Sequence, residues 1–186
     1  LSDQNPATAA DMYNVAVGYN AGASVSTGTN NTIVGALAGD ALTTGTQNVA
    51  IGQAALSTED THGLNVAIGY QALQTLNAGA DGYTVAVGDR AGRALTTGLY
   101  NTLVGGVAGL SLTTGGRNVA LGLQALDGDT QGSASIAIGV NALTAQNFTT
   151  ATSAYNIAVG DSAGTAITTG VQNVLIGAIA GDALTD

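Results

Sequence analysis

The sequence predicts an all-β fold, a parallel β-solenoid or β-roll of ten coils, each about 17 residues long, on three observations. A four-residue phrase, aliphatic–Ala–aliphatic–Gly, recurs along the chain, as in Val15-Ala16-Val17-Gly18 and Val49-Ala50-Ile51-Gly52. Its closing glycines are Gly18, Gly35, Gly52, Gly69, Gly88, Gly105, Gly122, Gly139, Gly160 and Gly177, at spacings of 17, 17, 17, 19, 17, 17, 17, 21 and 17. Residues at fixed distances from those glycines also keep their chemical type.

With the glycine as position 0, position −1 is Val, Ile or Leu in all ten coils and +3 is Ala in all ten. Position −4 is Asn in eight, with Thr84 and Ser135 as the exceptions, and +10 is Gly in seven of the nine coils that reach it. The residues at −3 and −1 share one face of a strand and −2 takes the other. Glycine allows the backbone angles of a tight corner. An alanine that never varies within the chain marks a crowded site. Asn at a turn can bond the backbone of the adjacent coil, and its repetition predicts a ladder. Units this short and rich in Gly and β-branched residues show no helical period. Two short strands per coil are expected, at −4 to −1 and +5 to +9.

A longer period of four coils is superimposed. Coils with Gly at +4 carry an aliphatic at +7, as at Val25, Leu42, Leu95, Leu112, Ile167 and Leu184. Coils with Leu56, Leu73, Leu126 or Leu143 at +4 carry Glu59, Leu76, Asp129 or Gln146 at +7. A large side chain at one site usually replaces one at the other, as expected if both fill the same layer of core. The organisation is a lead-in over 1–13 and a solenoid over 14–186, with super-repeats 14–83, 84–155 and an incomplete 156–186. Tyr13, Tyr83 and Tyr155 mark their starts, and the loops Asn77–Tyr83 and Gln146–Tyr155 carry the extra residues. The last coil stops without a capping element, so the native chain is expected to continue.

Composition narrows the function. Only 8% of residues are charged, against 45% hydrophobic, and the three basic residues (Arg90, Arg93, Arg117) face twelve acids for a net charge of −9. Nucleic acid and anionic membrane surfaces are poor partners for such a chain. It has no cysteine for a disulfide, thiolate site or nucleophile. No signal peptide and no apolar run of membrane-spanning length is apparent. Position −2, read as the outer face of the strand, is Ala in seven coils and Ile33, Leu103 or Leu175 in the others. An apolar outer face of that length predicts packing against further copies of the chain.

The phrase Asn-Val-Ala-Ile-Gly-x-x-Ala, at 48–55 and 65–72, is similar to the head repeat of YadA-type trimeric autotransporter adhesins. The longer unit, with Asn-Thr-Leu-Val-Gly at 101–105 and Leu-Thr-Thr-Gly at 95–98, resembles repeats of bacteriophage tail fibres. The likeness spans 14–186. It implies a homotrimeric fibre segment of left-handed parallel β-rolls, extracellular, on a virion tail or a cell surface. The function it implies is structural or adhesive: a rigid spacer that takes part in host attachment through a surface glycan or protein receptor. The adhesin repeat is shorter than this one, and the phage unit fits the length better.

No catalytic, cofactor or metal residues are assigned, and no enzyme activity is expected. His62, the sole histidine, lies beside Glu59 and Asp60 at a place where other coils have a turn glycine, and reads as a solvated turn residue. The pairs Glu59/Asp60 and Asp127/Asp129 sit four coils apart, about 19 Å at the stacking rise, too far for a glycosidase pair. Calcium at Asp127-Gly-Asp129 is the best candidate ion, since carboxylates and loop carbonyls are hard oxygen ligands. The alternative function is an ice-binding or other extracellular solenoid with a Thr-rich face, from Thr43-Thr44, Thr96-Thr97, Thr113-Thr114 and Thr168-Thr169. A receptor-binding surface should lie where the repeat is broken, which makes Asn77, Asp81, Tyr83, Gln146, Phe148 and Tyr155 the candidate contact residues.

Overall fold

The computed structural model describes residues 1–4 and 11–185. Ten three-residue strands, from Val15–Val17 to Val174–Ile176, form one parallel sheet in which each strand pairs with those of the preceding and following coils. The described residues contain no helix. The fold is a parallel β-solenoid of ten coils, a rod about 48 Å long at the usual strand spacing.

Register is the controlling feature. Ala16 stands opposite Ile33, Ala50 opposite Ala67 and Ala120 opposite Ala137, so equal repeat positions stack without offset. The extra residues of the fourth and eighth coils are absorbed outside the sheet, and pairing across them stays in phase: Ala67 meets Ala86 and Ala137 meets Ala158. The expected strand at +5 to +9 is absent. That segment is turn and bend, tied coil to coil by single bonds such as Thr96 N–H to Thr113 O at 2.8 Å. Among the described residues a second pairing appears only between Gly132–Ser133 and Thr152–Ser153.

The strand faces are reversed from the sequence expectation. Position −2 points into the core: Ala50, Ala67, Ala86, Ala120, Ala137 and Ala158 are buried, with Ile33 and Leu103. Positions −3 and −1 point outward, so the Val and Ile side chains line the surface. The cause is the narrow bore of a 17-residue coil. Its interior is already occupied by the residues at +3, +4 and +7, and only Ala fits at −2 in most coils. The wider β-branched side chains are displaced to the outer face, where a pleated surface suits them.

The four-coil period is a packing period. The +7 side chains Val25, Leu42, Leu76, Leu95, Leu112 and Ile167 and the +4 side chains Leu56, Leu73, Leu126 and Leu143 are all fully buried. Where two successive coils have Gly at +4, one large −2 residue fills the space. A Cβ on Gly109 would lie 2.9 Å from Leu103 Cδ2, and one on Gly92 would lie 2.7 Å from Leu103 Cδ1. Leu103, Ile33 and Leu175 hold this place in their super-repeats, and Ala takes −2 wherever +4 is Leu. Those +4 leucines accept a left-handed backbone, with φ between 49° and 55°. Such strain costs roughly 1–3 kcal/mol, comparable with the gain of about 1.5–3 kcal/mol from burying a leucine.

Four positions per coil turn the chain, and two of them do not use glycine. Positions −5 and +2 have positive φ in all ten coils, with Tyr, Asn, Gln, Leu, Arg and Ala among the occupants of −5. At position 0 glycine is obligatory for a second reason: a Cβ on Gly18 would lie 2.6 Å from the carbonyl oxygen of Gly35 in the next coil.

The asparagine ladder forms as expected. Asn at −4 accepts from the backbone N–H at −4 of the next coil wherever one follows: Asn14 Oδ1 from Asn31 at 2.8 Å, Asn31 from Asn48 at 2.9 Å, Asn101 from Asn118 at 3.0 Å. The amide nitrogen donates to the +10 carbonyl of its own coil, as from Asn31 to Gly45 O and from Asn118 to Gly132 O, both at 2.9 Å. Both polar ends of the buried side chain are thereby satisfied in these coils, whereas Asn65 Nδ2 is buried without a partner. Part of the lead-in lies against the first coil, where Ser2 Oγ donates to Ala23 O at 3.1 Å.

Leu103→Ala removes the filler beneath two glycines and leaves a cavity that stiff neighbouring coils cannot close. Chemical denaturation should show a loss of about 2–5 kcal/mol. A loss below about 1 kcal/mol would contradict the packing period.

Candidate functional site

The six residues expected at a receptor surface divide into two groups. Asn77, Asp81, Tyr83 and Tyr155 are exposed, whereas Gln146 and Phe148 are buried. Gln146 reads as a core residue because it joins two buried polar groups. Its Nε2 donates to Asp129 Oδ2 at 2.6 Å and to Ser135 Oγ at 3.1 Å, and its Oε1 accepts from Asn156 Nδ2 at 2.8 Å. Gln146 thus bridges the ladder where Ser135 replaces Asn.

Glu59 and Asp129 are equivalent residues with equivalent work. Glu59 accepts from the backbone N–H of His62 at 3.2 Å and of Ala78 at 3.1 Å. Asp129 accepts from the N–H of Gly132 and of Phe148, both at 3.0 Å. Each buried carboxylate therefore fastens its own turn and the turn of the next, longer coil. Bonds to a charged acceptor contribute about 1.5–3 kcal/mol each, which explains why an acid can stand where other coils bury Leu. His62 Nδ1 lies 3.2 Å from Glu59 Oε1, and Asp60 completes a group with ligand atoms within 4.8 Å of one another. Glu59 is already engaged by amide donors, so this group is a turn fastening. The calcium expectation at Asp127-Gly-Asp129 meets the same difficulty, because both carboxylate oxygens of Asp129 are engaged inside the core.

The threonine rows also separate. At +8 the hydroxyl bends onto the next coil: Thr43 Oγ1 donates to Asp60 O at 2.8 Å, Thr96 to Thr113 O at 3.0 Å and Thr113 to Thr130 O at 2.9 Å. At +9, Thr27, Thr44, Thr61, Thr97 and Thr114 are exposed, but the row is broken by the buried Ala78 and Phe148. The uninterrupted flat array that an ice face needs is missing among the described residues.

Two surface features were not foreseen. The first is the outer face of the sheet. Eight of the ten −3 residues and all ten −1 residues are Val, Ile or Leu, and none of these positions is charged. Central strands leave them partly exposed, and the end strands more so, with Val15 at 52% and Ile176 at 72%. Two rows along the rod make a band of roughly 500 Å2 at standard strand spacings, at the upper end of what a monomer exposes. Parallel sheets are found almost only with both faces covered.

The second feature lies on the −5 corner. Tyr83 and Tyr100 stack there with ring centroids 5.8 Å apart and planes 18° apart. Arg117 follows at the same position one coil on. Thr97, Leu99, Tyr100, Thr114, Gly116, Arg117 and Ser133 line a shallow cleft of about 220 Å3. Only the middle super-repeat places Tyr, Tyr and Arg in sequence at −5, and comparing that position across coils would have singled it out.

No family model, no curated protein and no solved structure matches this chain.

Burial raises the carboxyl pKa of Asp40 and of Asp127, partly offset by backbone amides and, for Asp127, by Gln124. An acid raised on folding adds stability below its unfolded value and loses it as the pH climbs through the folded one. Asp40→Asn and Asp127→Asn should therefore melt higher than the parent at pH 7. The gain should vanish below the unfolded value of 3.8. Thermal melts at both pH values check this, and an unchanged or lower melting temperature at pH 7 would contradict it.

Proposed function

We propose that this chain is a rigid structural and adhesive segment of an extracellular fibre, a phage tail fibre or a cell-surface adhesin, and that it works as a homotrimer. The observation that carries the reading is the outward band of Val, Ile and Leu on the ten-stranded sheet. A charge-free strip of β-branched side chains running the length of a rod is suited to burial against identical rods. A parallel arrangement about the rod axis would let every coil meet its counterpart in register. The number three follows the resemblance to trimeric adhesin heads and tail-fibre repeats. The low charge content fits the same picture, since the surface left to water in such a bundle is smaller than in a monomer.

As a spacer, the rod gains stiffness from bonds that run along its axis in three systems: the sheet, the asparagine ladder and the +8 hydroxyls. As an adhesive element, it would meet a receptor through side chains off the sheet face, among them Asn77, Asp81, Tyr83 and Tyr155. The solution mass by light scattering after size exclusion tests the reading. Three times the 18.0 kDa of one chain is expected. A single-chain mass at micromolar concentration would contradict it.

A further inference from the structure

We propose that the Tyr100–Arg117 cleft binds a carboxylated saccharide, one sugar ring of an acidic glycan. The proposal deepens the adhesive reading by giving it a ligand class and a place. It draws on four properties of the cleft.

The first is an aromatic platform. Tyr100 is 53% exposed, and its ring is backed by Tyr83 in the preceding coil. An exposed, braced ring offers an apolar face to the C–H face of a sugar, and its hydroxyl remains free for a polar contact. Bracing matters because a side chain already held in place loses little freedom on binding. The backbone beneath is fixed too: Tyr100 N–H donates to Gly82 O and Arg117 N–H to Leu99 O, both at 2.9 Å.

The second is the cation. Arg117 is exposed and has no ion-pair or side-chain hydrogen-bond partner among the described residues. In a chain with three basic residues and twelve acids, one of the three stands in a cleft whose lining contains no acid. A guanidinium presents a planar fork that matches a carboxylate with two parallel bonds. One arginine in so acidic a chain does not suit a polyphosphate backbone.

The third is the hydroxyl lining. Thr97 and Thr114 are exposed members of the +9 row, and neither hydroxyl is used within the described residues. Ser133 Oγ accepts from Gly116 N–H at 3.1 Å, which leaves its own proton to donate. Donors and acceptors in a row suit the alternating hydroxyls of a sugar.

The fourth is size and position. At about 220 Å3 the cleft is smaller than sites for drug-sized ligands, which run to roughly 300–1,000 Å3. It suits one ring of a chain that continues along the rod. None of its lining residues belongs to the outward −3 and −1 rows. Packing of that face between copies and occupation of the cleft are therefore compatible.

The test is calorimetric titration of the assembled protein with trigalacturonic acid and with an α2,8-linked sialic acid trimer, using maltotriose as the neutral comparison. At least one acidic trimer should bind saturably and at least about tenfold more tightly than maltotriose, with affinity falling as salt rises. Arg117→Gln and Tyr100→Ala should each weaken that binding by about tenfold or more. Tyr19→Ala, at an exposed tyrosine outside the cleft, should leave it unchanged. Circular dichroism melts confirm that the variants fold. Failure of both acidic trimers to bind the parent protein would overturn the proposal, as would binding that survives Arg117→Gln and Tyr100→Ala. A trimeric mass with no binding would sink the cleft and leave the fibre reading standing. A monomeric mass with cleft-dependent binding would do the reverse.

Discussion

Each coil lies on the next without any sideways shift, and the rest of the molecule follows from that stacking. Unshifted parallel pairing puts like residues above like, so whatever a position does once it must do ten times. A carbonyl at position 0 comes so near the preceding coil that no side chain is admissible at that coil's position 0. An amide side chain at −4 meets the same two partners in most coils, the N–H at −4 of the next coil and the +10 carbonyl of its own. The sheet bonds are individually modest, at about 0.5–1.5 kcal/mol net. Their repetition along an axis, with Asp40 Oδ1 and Asn65 Nδ2 the buried side-chain atoms left unpaired among the described residues, gives a rod in which stability is close to a sum over neighbouring coils.

The same stacking limits the core. A 17-residue loop encloses so little space that the strand can send only a small side chain inward, and the remaining volume is shared between +4 and +7. Coils that keep glycine at +4 bury an aliphatic at +7, and every second such coil sends a large −2 residue beneath its neighbours. Coils that place Leu at +4 are free to put a polar hub at +7. Glu59, Asp129 and Gln146 exploit that freedom to fasten the longer turns. The breaks in the repeat are therefore reinforced from inside, while their exposed parts are left available for contact.

Much of this was legible in the chain. The repeat, the ladder and the exchange between +4 and +7 are each a residue type at a fixed spacing, and alignment on one glycine reveals them. The direction of the strand faces was not legible. Alternation shows which side chains share a face, but when Val-Ala-Ile is apolar on both faces only the bore of the coil decides which one goes in. The corner at −5 was hidden for another reason: Tyr, Asn, Gln, Leu, Arg and Ala all adopt the left-handed backbone there, so no residue type announces it. The expected strand at +5 to +9 failed because Thr-Thr has the composition of a strand but the local geometry of a bend. Gln146 and Phe148 looked like surface because they stand at an insertion, and the insertion turned out to carry its own small core.

The central claim is that the outward Val and Ile rows are the contact between copies. The chain has no cysteine, so a single one placed by Ile68→Cys, midway along the rod at position −1, reports on that face without interference. Mild oxidation of the native protein should join pairs of chains into covalent dimers on a denaturing gel, with no such product from Gln47→Cys on the −5 corner. An uncrosslinked thiol at 68 that is alkylated as fast as a free cysteine would contradict the account, because it would put the apolar face in water.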